Sequence, residues 1–249
     1  MKKFFLYFLA LALPLCTFCC KDQKPRDAVV SAEDSTATVS SQLPETAPQE
    51  LPDEEVEAQD GMYKPDDIAK SWMKRVINVP GQKSDIVALF EAFYKEWPTI
   101  EGSRIVHTTN PSLAPDETYY EEGSVINRKN GYVESAWYEG EPLGVISACV
   151  WNRKNGHKLF AVNFSCENDF LCFYDFDPAK RTLTPEESPV KRANQVYPDK
   201  APLWYTLPEE GKRLEVVEDA PGDEVVSTYY DFDGQNLKFV GRRIDSHDD

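Results

Sequence analysis

The sequence has few basic residues. Its 249 residues include 27 lysines and arginines against 43 aspartates and glutamates, which gives a formal net charge of −16. Phosphate backbones and anionic lipid surfaces bind clustered positive charge. Nucleic acid is therefore excluded as the main partner.

Residues and motifs that build common enzyme sites are also scarce. The three histidines, at positions 107, 157 and 247, are widely spaced, and none forms the i, i+4 pair that holds a metal ion on a helix. There is no Gly-x-Ser-x-Gly elbow, phosphate loop or dinucleotide glycine fingerprint. The sequence predicts no cofactor and singles out no catalytic residue. A cysteine nucleophile paired with histidine could use Cys149, Cys166 or Cys172. These three cysteines lie in apolar strand patterns, which are typical of buried structural cysteine.

No apolar run is long enough to span a bilayer, which needs about 20 residues. The longest extends from Phe4 to Leu15 and follows Lys2 and Lys3. A short positive region before an apolar run of this length is typical of a signal peptide. We therefore expect residues 1–19 to be a signal peptide.

Three cysteines follow the apolar run. This stretch resembles a bacterial lipobox, in which a small residue precedes a cysteine that carries a diacylglycerol. Cys20 fits best, because Cys16 follows Leu15 and Cys19 follows Phe18, which are both bulky. The resemblance implies that the mature protein is anchored to a membrane by lipid on Cys20. The alternative is an ordinary cleaved signal whose cysteines are merely apolar.

A polar acidic segment follows the cysteines. Residues 21–60 contain eleven acidic and three basic residues, a net charge of −8, and no aromatic residue. Such a composition cannot bury enough apolar surface to offset the entropy of ordering. Residues 20–60 are therefore predicted to be a lipidated cysteine and a disordered acidic tether.

The start of the tether contains a candidate export signal. Lys21-Asp22-Gln23 resembles the short charged export signals of surface lipoproteins in the Bacteroidetes. The resemblance implies an outer-membrane lipoprotein at the cell surface. An outer-membrane lipoprotein on the periplasmic face is the alternative.

Residues 61–249 are predicted to form one globular domain. Two helical patterns open it, the first from Pro65 to Val76 and the second from an N-cap at Ser84 to Trp97. Short strand patterns follow: Thr118–Asn127, Tyr132–Tyr138, Gly144–Asn152, Lys158–Cys166, Phe170–Phe176, Leu203–Leu207, Arg213–Val217, Glu224–Phe232 and Leu237–Arg242. Asn130-Gly131 and Asn155-Gly156 predict type I′ hairpin turns, in which both central residues have positive φ.

Helices grouped before strands predict an α+β domain, with two N-terminal helices packed on an antiparallel β meander. The stretch Val145–Trp151 is apolar on both faces, so we expect it to be central and covered on both sides. An NTF2-like cone and a β-sandwich with helices attached are the alternatives. The blocks Asn152–Leu159 and Tyr174–Pro185 also resemble uncharacterised Bacteroidetes lipoproteins, a likeness that implies no activity.

Two pairs of carboxylates are candidates for chemistry. Asp175 with Asp177, and Asp231 with Asp233, each end a predicted strand. Converging pairs could bind a hard cation or act as acid and base in glycoside cleavage. Aspartates that bond their own turn backbone are the simpler interpretation, and the metal site remains a minority hypothesis.

Aromatic residues are the candidates for binding. They are concentrated in or beside the predicted strands: Tyr119, Tyr120, Tyr132, Trp137, Tyr138, Trp204, Tyr205, Tyr229 and Tyr230. Adjacent residues of a strand point to opposite faces, so one member of each pair could face solvent. Trp137, Tyr138, Trp204 and Tyr205 are the predicted ligand-binding residues, although burial in a core is the simpler interpretation for most of these rings.

The leading functional hypothesis is a membrane-anchored envelope or surface lipoprotein with a non-catalytic binding module for a glycan, a peptide or a partner protein. The alternative is a carboxylate-dependent hydrolase of envelope or extracellular glycans.

The sequence leaves the oligomeric state open. A disulfide between Cys166 and Cys172 depends on the length of the turn that joins their strands. A three-residue turn, 168–170, would place the two cysteines opposite each other, whereas a two-residue turn at Asn168-Asp169 would pair Cys166 with Leu171. We predict no disulfide, because Asn168-Asp169 suits a two-residue turn.

Overall fold

The computed structural model describes residues 61–113, 124–138, 142–165, 169–191, 194–197, 203–220 and 224–246. The predicted signal peptide, the lipidation site Cys20, the acidic tether and Cys166 lie outside these residues. The side chains of Trp137 and Tyr138 are likewise not described.

Three α-helices lie in the described residues: α1 Pro65–Ser71, α2 Ile86–Glu96 and α3 Ile100–Thr109. The N-cap of α2 is Asp85 and not the predicted Ser84, because the Asp85 carboxylate accepts a hydrogen bond from the Ala88 amide at 3.0 Å. None of the helices in the described ranges is long and apolar enough to cross a membrane.

Eleven strands are described: β1 Ile77–Asn78, β2 Ser124–Asn127, β3 Tyr132–Tyr138, β4 Pro142–Asn152, β5 Lys158–Ser165, β6 Phe170–Asp177, β7 Thr182–Glu186, β8 Leu203–Thr206, β9 Arg213–Ala220, β10 Glu224–Phe232 and β11 Leu237–Ser246. They form two antiparallel sheets. The large sheet has the order β1-β7-β6-β5-β4-β3-β2, and the small sheet has the order β11-β10-β9-β8.

The predicted α+β class, with two N-terminal helices on one meander, is wrong. The described residues are mostly β, and their strands divide between two sheets. The described residues contain three α-helices where two were predicted, and their core lies on one face of the large sheet. The physical reason is that the large sheet is apolar on both faces. Three helices are enough to cover one face, and the other requires a second sheet.

Two hydrophobic cores lie on the two faces of the large sheet. The helix-side core joins Phe90 and Phe93 of α2 to alternate residues of β5, such as Phe160 and Phe164. The inter-sheet core joins the remaining β5 positions, such as Leu159, to the small sheet. Strand β4 runs beside the central strand β5, as the two-sided apolar stretch predicted.

The two predicted hairpins form, but their turns differ from the prediction. Gly131 has a φ of 72° and Gly156 a φ of 86°, whereas neither Asn130 nor Asn155 has a positive φ. A type I′ turn requires positive φ at both central residues, so neither turn is of this type.

The two described cysteines of the domain are free thiols on opposite faces of the large sheet. Cys149 lies in the inter-sheet core and Cys172 in the helix-side core. Burial raises the pKa of both thiols. They are therefore structural, and Cys172 donates to the carbonyl oxygen of Val162 across the hairpin.

Candidate functional site

Asp175 and Asp177, on β6, have different structural partners. One carboxylate oxygen of Asp175 accepts from Arg153, and the other lies 2.6 Å from Nδ1 of His157. Asp177 caps the following turn, because its Oδ1 accepts from the amides of Ala179 at 2.8 Å and Lys180 at 3.1 Å. The two side chains do not converge on a shared site.

Asp231 on β10 and Asp233 in the following turn show the same difference: the first forms an ion pair and the second caps a turn. The carboxylate of Asp231 makes a bidentate pair with Arg213, at 2.7 and 2.9 Å. Asp233 caps its turn through the amides of Gln235 and Asn236, at 2.7 and 2.9 Å. Turn formation therefore explains Asp177 and Asp233, and ion pairing explains Asp175 and Asp231.

These environments are unsuited to acid catalysis by the aspartates. Backbone amides hold the pKa of Asp177 and of Asp233 below the ordinary value, and the Arg213 guanidinium does the same for Asp231. A general acid needs a raised pKa instead. Within the described residues, no group of three or more histidine, cysteine, aspartate or glutamate side chains could hold a metal ion.

The carboxylate of Asp175 belongs to a cluster centred on Arg153, whose side chain is only 5% exposed. The Arg153 guanidinium also donates to Glu186 at 2.7 Å, to the Gln235 carbonyl at 2.9 Å and to the Asn236 side chain at 3.1 Å. It thereby joins β6 and β7 of the large sheet to the β10–β11 turn of the small sheet. Sequence reasoning missed Arg153, because its partners lie 22 to 83 residues away along the chain.

The four predicted ligand-binding aromatics fall in two different sheets. Trp137 and Tyr138 end β3 in the large sheet, whereas Trp204 and Tyr205 lie on β8 in the small sheet. Tyr205 packs against the inter-sheet core. Trp204 points to the opposite side, as alternation along a strand requires.

Trp204 lies on a surface that we call the outer face, the side of the small sheet turned away from the inter-sheet core. Strand register places these side chains on it: Trp204, Thr206, Arg213, Glu215, Val217, Val225, Ser227, Tyr229, Asp231, Arg243 and Asp245. None of them belongs to either hydrophobic core. Trp204 and Tyr229 are half-buried, and Ser227 is buried.

The middle of the outer face combines rings, hydroxyls and ion pairs. The Arg213 guanidinium lies 5.4 Å from the centroid of the Tyr229 ring while it pairs with Asp231. Gly241 is the cross-strand partner of Tyr229, and a Cβ built on it would meet no atom within 4 Å. Because Gly241 has no side chain, β11 places none directly opposite Tyr229.

Strand spacing sets the separation of the two rings. Trp204 pairs with Val217, and Tyr229 pairs with Glu215 two residues further along β9. With strands about 4.8 Å apart and about 3.3 Å per residue, the Cα atoms of Trp204 and Tyr229 are roughly 12 Å apart. The two rings can therefore contact separate units of one extended ligand.

Comparison of the chain with protein-family models, curated proteins and solved structures finds no match. The functional argument therefore rests on the geometry of the domain. The alternation of Trp204 with Tyr205 and of Tyr229 with Tyr230 was the sequence signal for an aromatic face. The sequence alone could not place Trp204 and Tyr229 on the same side of one sheet.

Proposed function

We propose that this chain is a lipid-anchored envelope lipoprotein whose folded domain binds a glycan, without catalysis, on the outer face. The observation that carries the proposal is the pair of half-buried rings, Trp204 and Tyr229, on one sheet face that lies outside both hydrophobic cores. Contiguous exposed aromatic surface rimmed by polar groups is typical of an interaction site.

The chemistry of the outer face favours a glycan over a peptide. Peptides that add to a sheet bind the backbone of an edge strand, whereas these rings lie on the sheet surface. A ring face can stack on the C–H face of a sugar, and fixed polar groups beside it can bind the sugar hydroxyls. The bidentate pair of Arg213 and Asp231 offers such groups at the side of Tyr229.

The non-catalytic assignment follows from the partners of the four aspartates. Each carboxylate is held by an arginine or by turn amides. The lowered pKa of Asp177, Asp231 and Asp233 keeps these groups ionised at neutral pH. A hydrolase of the predicted kind would need one carboxyl group that stays protonated.

Glycan binding can be tested by substituting the two outer-face rings one at a time. Trp204→Ala and Tyr229→Ala should each weaken binding to purified envelope glycans by about 1–3 kcal/mol, the usual cost of losing a central ring. Phe239→Ala is the matched control, because Phe239 is an exposed ring on the opposite face of the same sheet. Calorimetric titration of the three variants gives the comparison.

Two results would contradict the proposal. One is equal binding by the wild type and both outer-face variants. The other is hydrolysis of an envelope glycan by the wild type that is lost in Asp231→Asn, since this would restore the enzyme hypothesis.

The anchor is a separate part of the proposal. Lipid on Cys20 would hold the protein at the outer membrane, and 40 residues of flexible acidic tether would span roughly 35 Å. A single acyl chain binds only marginally, so the diacylglycerol is needed for stable anchoring. Metabolic labelling with palmitate should mark the wild type but not Cys20→Ser. Label retained in that variant would place the anchor at another residue.

A further inference from the structure

Strand β11 is an exposed edge of the small sheet. It is ten residues long and pairs with β10 on one side only. Among the described residues no strand pairs with its other side, so its backbone can accept a further strand.

Two apolar side chains of β11 are also exposed. Phe239 and Ile244 face the inner side of the sheet, yet they are 44% and 53% exposed. Their cross-strand partners on β10, Tyr230 and Val226, are buried. On the inner face of β11, Leu237 is buried in the inter-sheet core and Arg242 donates to the Asn194 carbonyl, whereas Phe239 and Ile244 keep much of their surface exposed.

Only the second half of β11 is suited to regular pairing. A bulge interrupts the register with β10 at Val240, between the Phe239 and Gly241 pairs. From Gly241 to Ser246 the pairing is regular. Gly241, Arg243 and Asp245 lie on the outer face, and residues 242, 244 and 246 lie on the inner face.

If a second copy of the strand pairs antiparallel about a twofold axis, one residue must face its own copy. A centre at Arg242, Arg243 or Asp245 would place like charges directly opposite each other, which destabilises a sheet. A centre at Gly241 meets the bulge, and one at Ser246 brings no other residue of Gly241–Ser246 opposite this segment of the second copy. Ile244 is the one remaining centre.

The register centred on Ile244 is complementary in both charge and polarity. It places Arg243 opposite Asp245 of the second copy, twice per pair, and Ile244 against Ile244. Within one chain Arg243 and Asp245 already form an ion pair at 2.7 Å, and their side chains are 67% and 49% exposed. Pairing would join the two ion pairs into one network and cover the exposed Ile244 side chains.

We propose that β11 binds β11 of a second copy of this chain, antiparallel and centred on Ile244, to join two small sheets into one of eight strands. Self-pairing is favoured over a foreign peptide because the sequence around Ile244 is its own complement in charge. The bulge and the paired arginines exclude the other registers, which is the usual role of such features on an edge strand. The two outer faces would then lie side by side.

Cross-linking of the full chain tests the register. Ile244→Cys should give a covalent dimer with a short thiol cross-linker, because the two substituted residues are opposite each other. Lys238→Cys on the same strand is the control, since the two copies of residue 238 would be roughly 40 Å apart. The unsubstituted chain measures the background from its six native cysteines.

Reversing the charge of Arg243 or Asp245 tests whether the partner is a second copy of this chain. Arg243→Asp and Asp245→Arg should each weaken association about tenfold, because each creates two like-charge pairs across the interface. An equimolar mixture of these two variants should recover dimers, since aspartate of one chain then faces arginine of the other at both pairs. Recovery in the mixture also shows that each single variant is folded.

The proposal is overturned if Ile244→Cys cross-links no more than the unsubstituted chain or cross-links mainly to a different protein. It is equally overturned if the single charge variants associate like the wild type, or if their mixture does not recover dimers. Sedimentation velocity on the same samples reports the dimer fraction.

Discussion

At the residue scale, the turn between β2 and β3 depends on Gly131. Its φ of 72° is unfavourable for other residues, and an added Cβ would lie 2.6 Å from Cγ1 of Val150 and 3.2 Å from the Val150 carbonyl oxygen. Gly156 has a similar φ of 86°, but an added Cβ there would meet no atom within 4 Å. The two glycines therefore differ in steric room and share the same backbone constraint.

Gly131→Ala should consequently destabilise the domain more than Gly156→Ala. The backbone cost is about 1–2 kcal/mol at both positions. At Gly131 the overlap with Val150 should add about 1–3 kcal/mol, because the adjacent strand must shift. Urea denaturation of both variants measures the difference. Equal losses would show that Val150 moves freely out of the way.

The same residues show how far sequence reasoning reaches at this scale. Asn-Gly predicted the place of both hairpins, since glycine tolerates positive φ and turns concentrate there. It did not give the turn type, which depends on how the flanking strands meet. Asp177 and Asp233 were recognisable as turn formers because their partners are two and three residues away. No local pattern reveals partners as distant as those of Arg153.

At the element scale, strands with regular alternation were predictable and irregular elements were not. Strands β3 to β6 lie close to their predicted positions, because both cores require apolar residues along them. Strand β7 was missed, since Thr182–Glu186 contains a proline and only one buried apolar residue, Leu183. Helix α3 was missed because few of its residues are apolar.

Helix α3 combines an N-cap with two fully buried apolar residues, Ile105 and Val106. Thr99 is fully buried, and its Oγ1 accepts a hydrogen bond from the Gly102 amide at 3.1 Å. Thr99→Ala should therefore cost about 1 kcal/mol, whereas Thr99→Ser keeps the hydroxyl and should cost less. Thermal unfolding of both variants tests this. A serine variant no more stable than the alanine variant would show that the lost methyl group, and not the cap, determines the effect.

At the scale of the whole molecule, the division of the strands between two sheets was the part the sequence could not determine. Alternation predicts that a strand has a buried face, but not which other strand it pairs with or which layer covers it. The two-sided apolar pattern of Val145–Trp151 required two covering layers. It did not show that residues 203–246 would supply one of them as a separate sheet.

Arg153 joins these two sheets at one end, so its loss should affect the whole molecule. The Arg153→Met substitution keeps much of the volume but leaves Asp175 with His157 alone. It also takes the Arg153 donor from Glu186 and from two acceptors of the β10–β11 turn. Breaking a buried ion pair costs about 3–5 kcal/mol. Asp175 and Glu186 are 24% and 32% exposed, so water can replace part of the interaction and we expect roughly 2–3 kcal/mol.

Arg213→Met is the matched control for this prediction. Arg213 also pairs with an aspartate of a strand, Asp231, but it is 57% exposed and bonds within one sheet. Exposed pairs add little to stability because water and salt screen them, so this variant should unfold close to the wild type in urea. In the Arg153→Met background, a further Glu186→Gln change should recover part of the loss, because it removes a carboxylate whose partner was Arg153. Similar losses from Arg153→Met and Arg213→Met would show that the buried cluster does not hold the two sheets together.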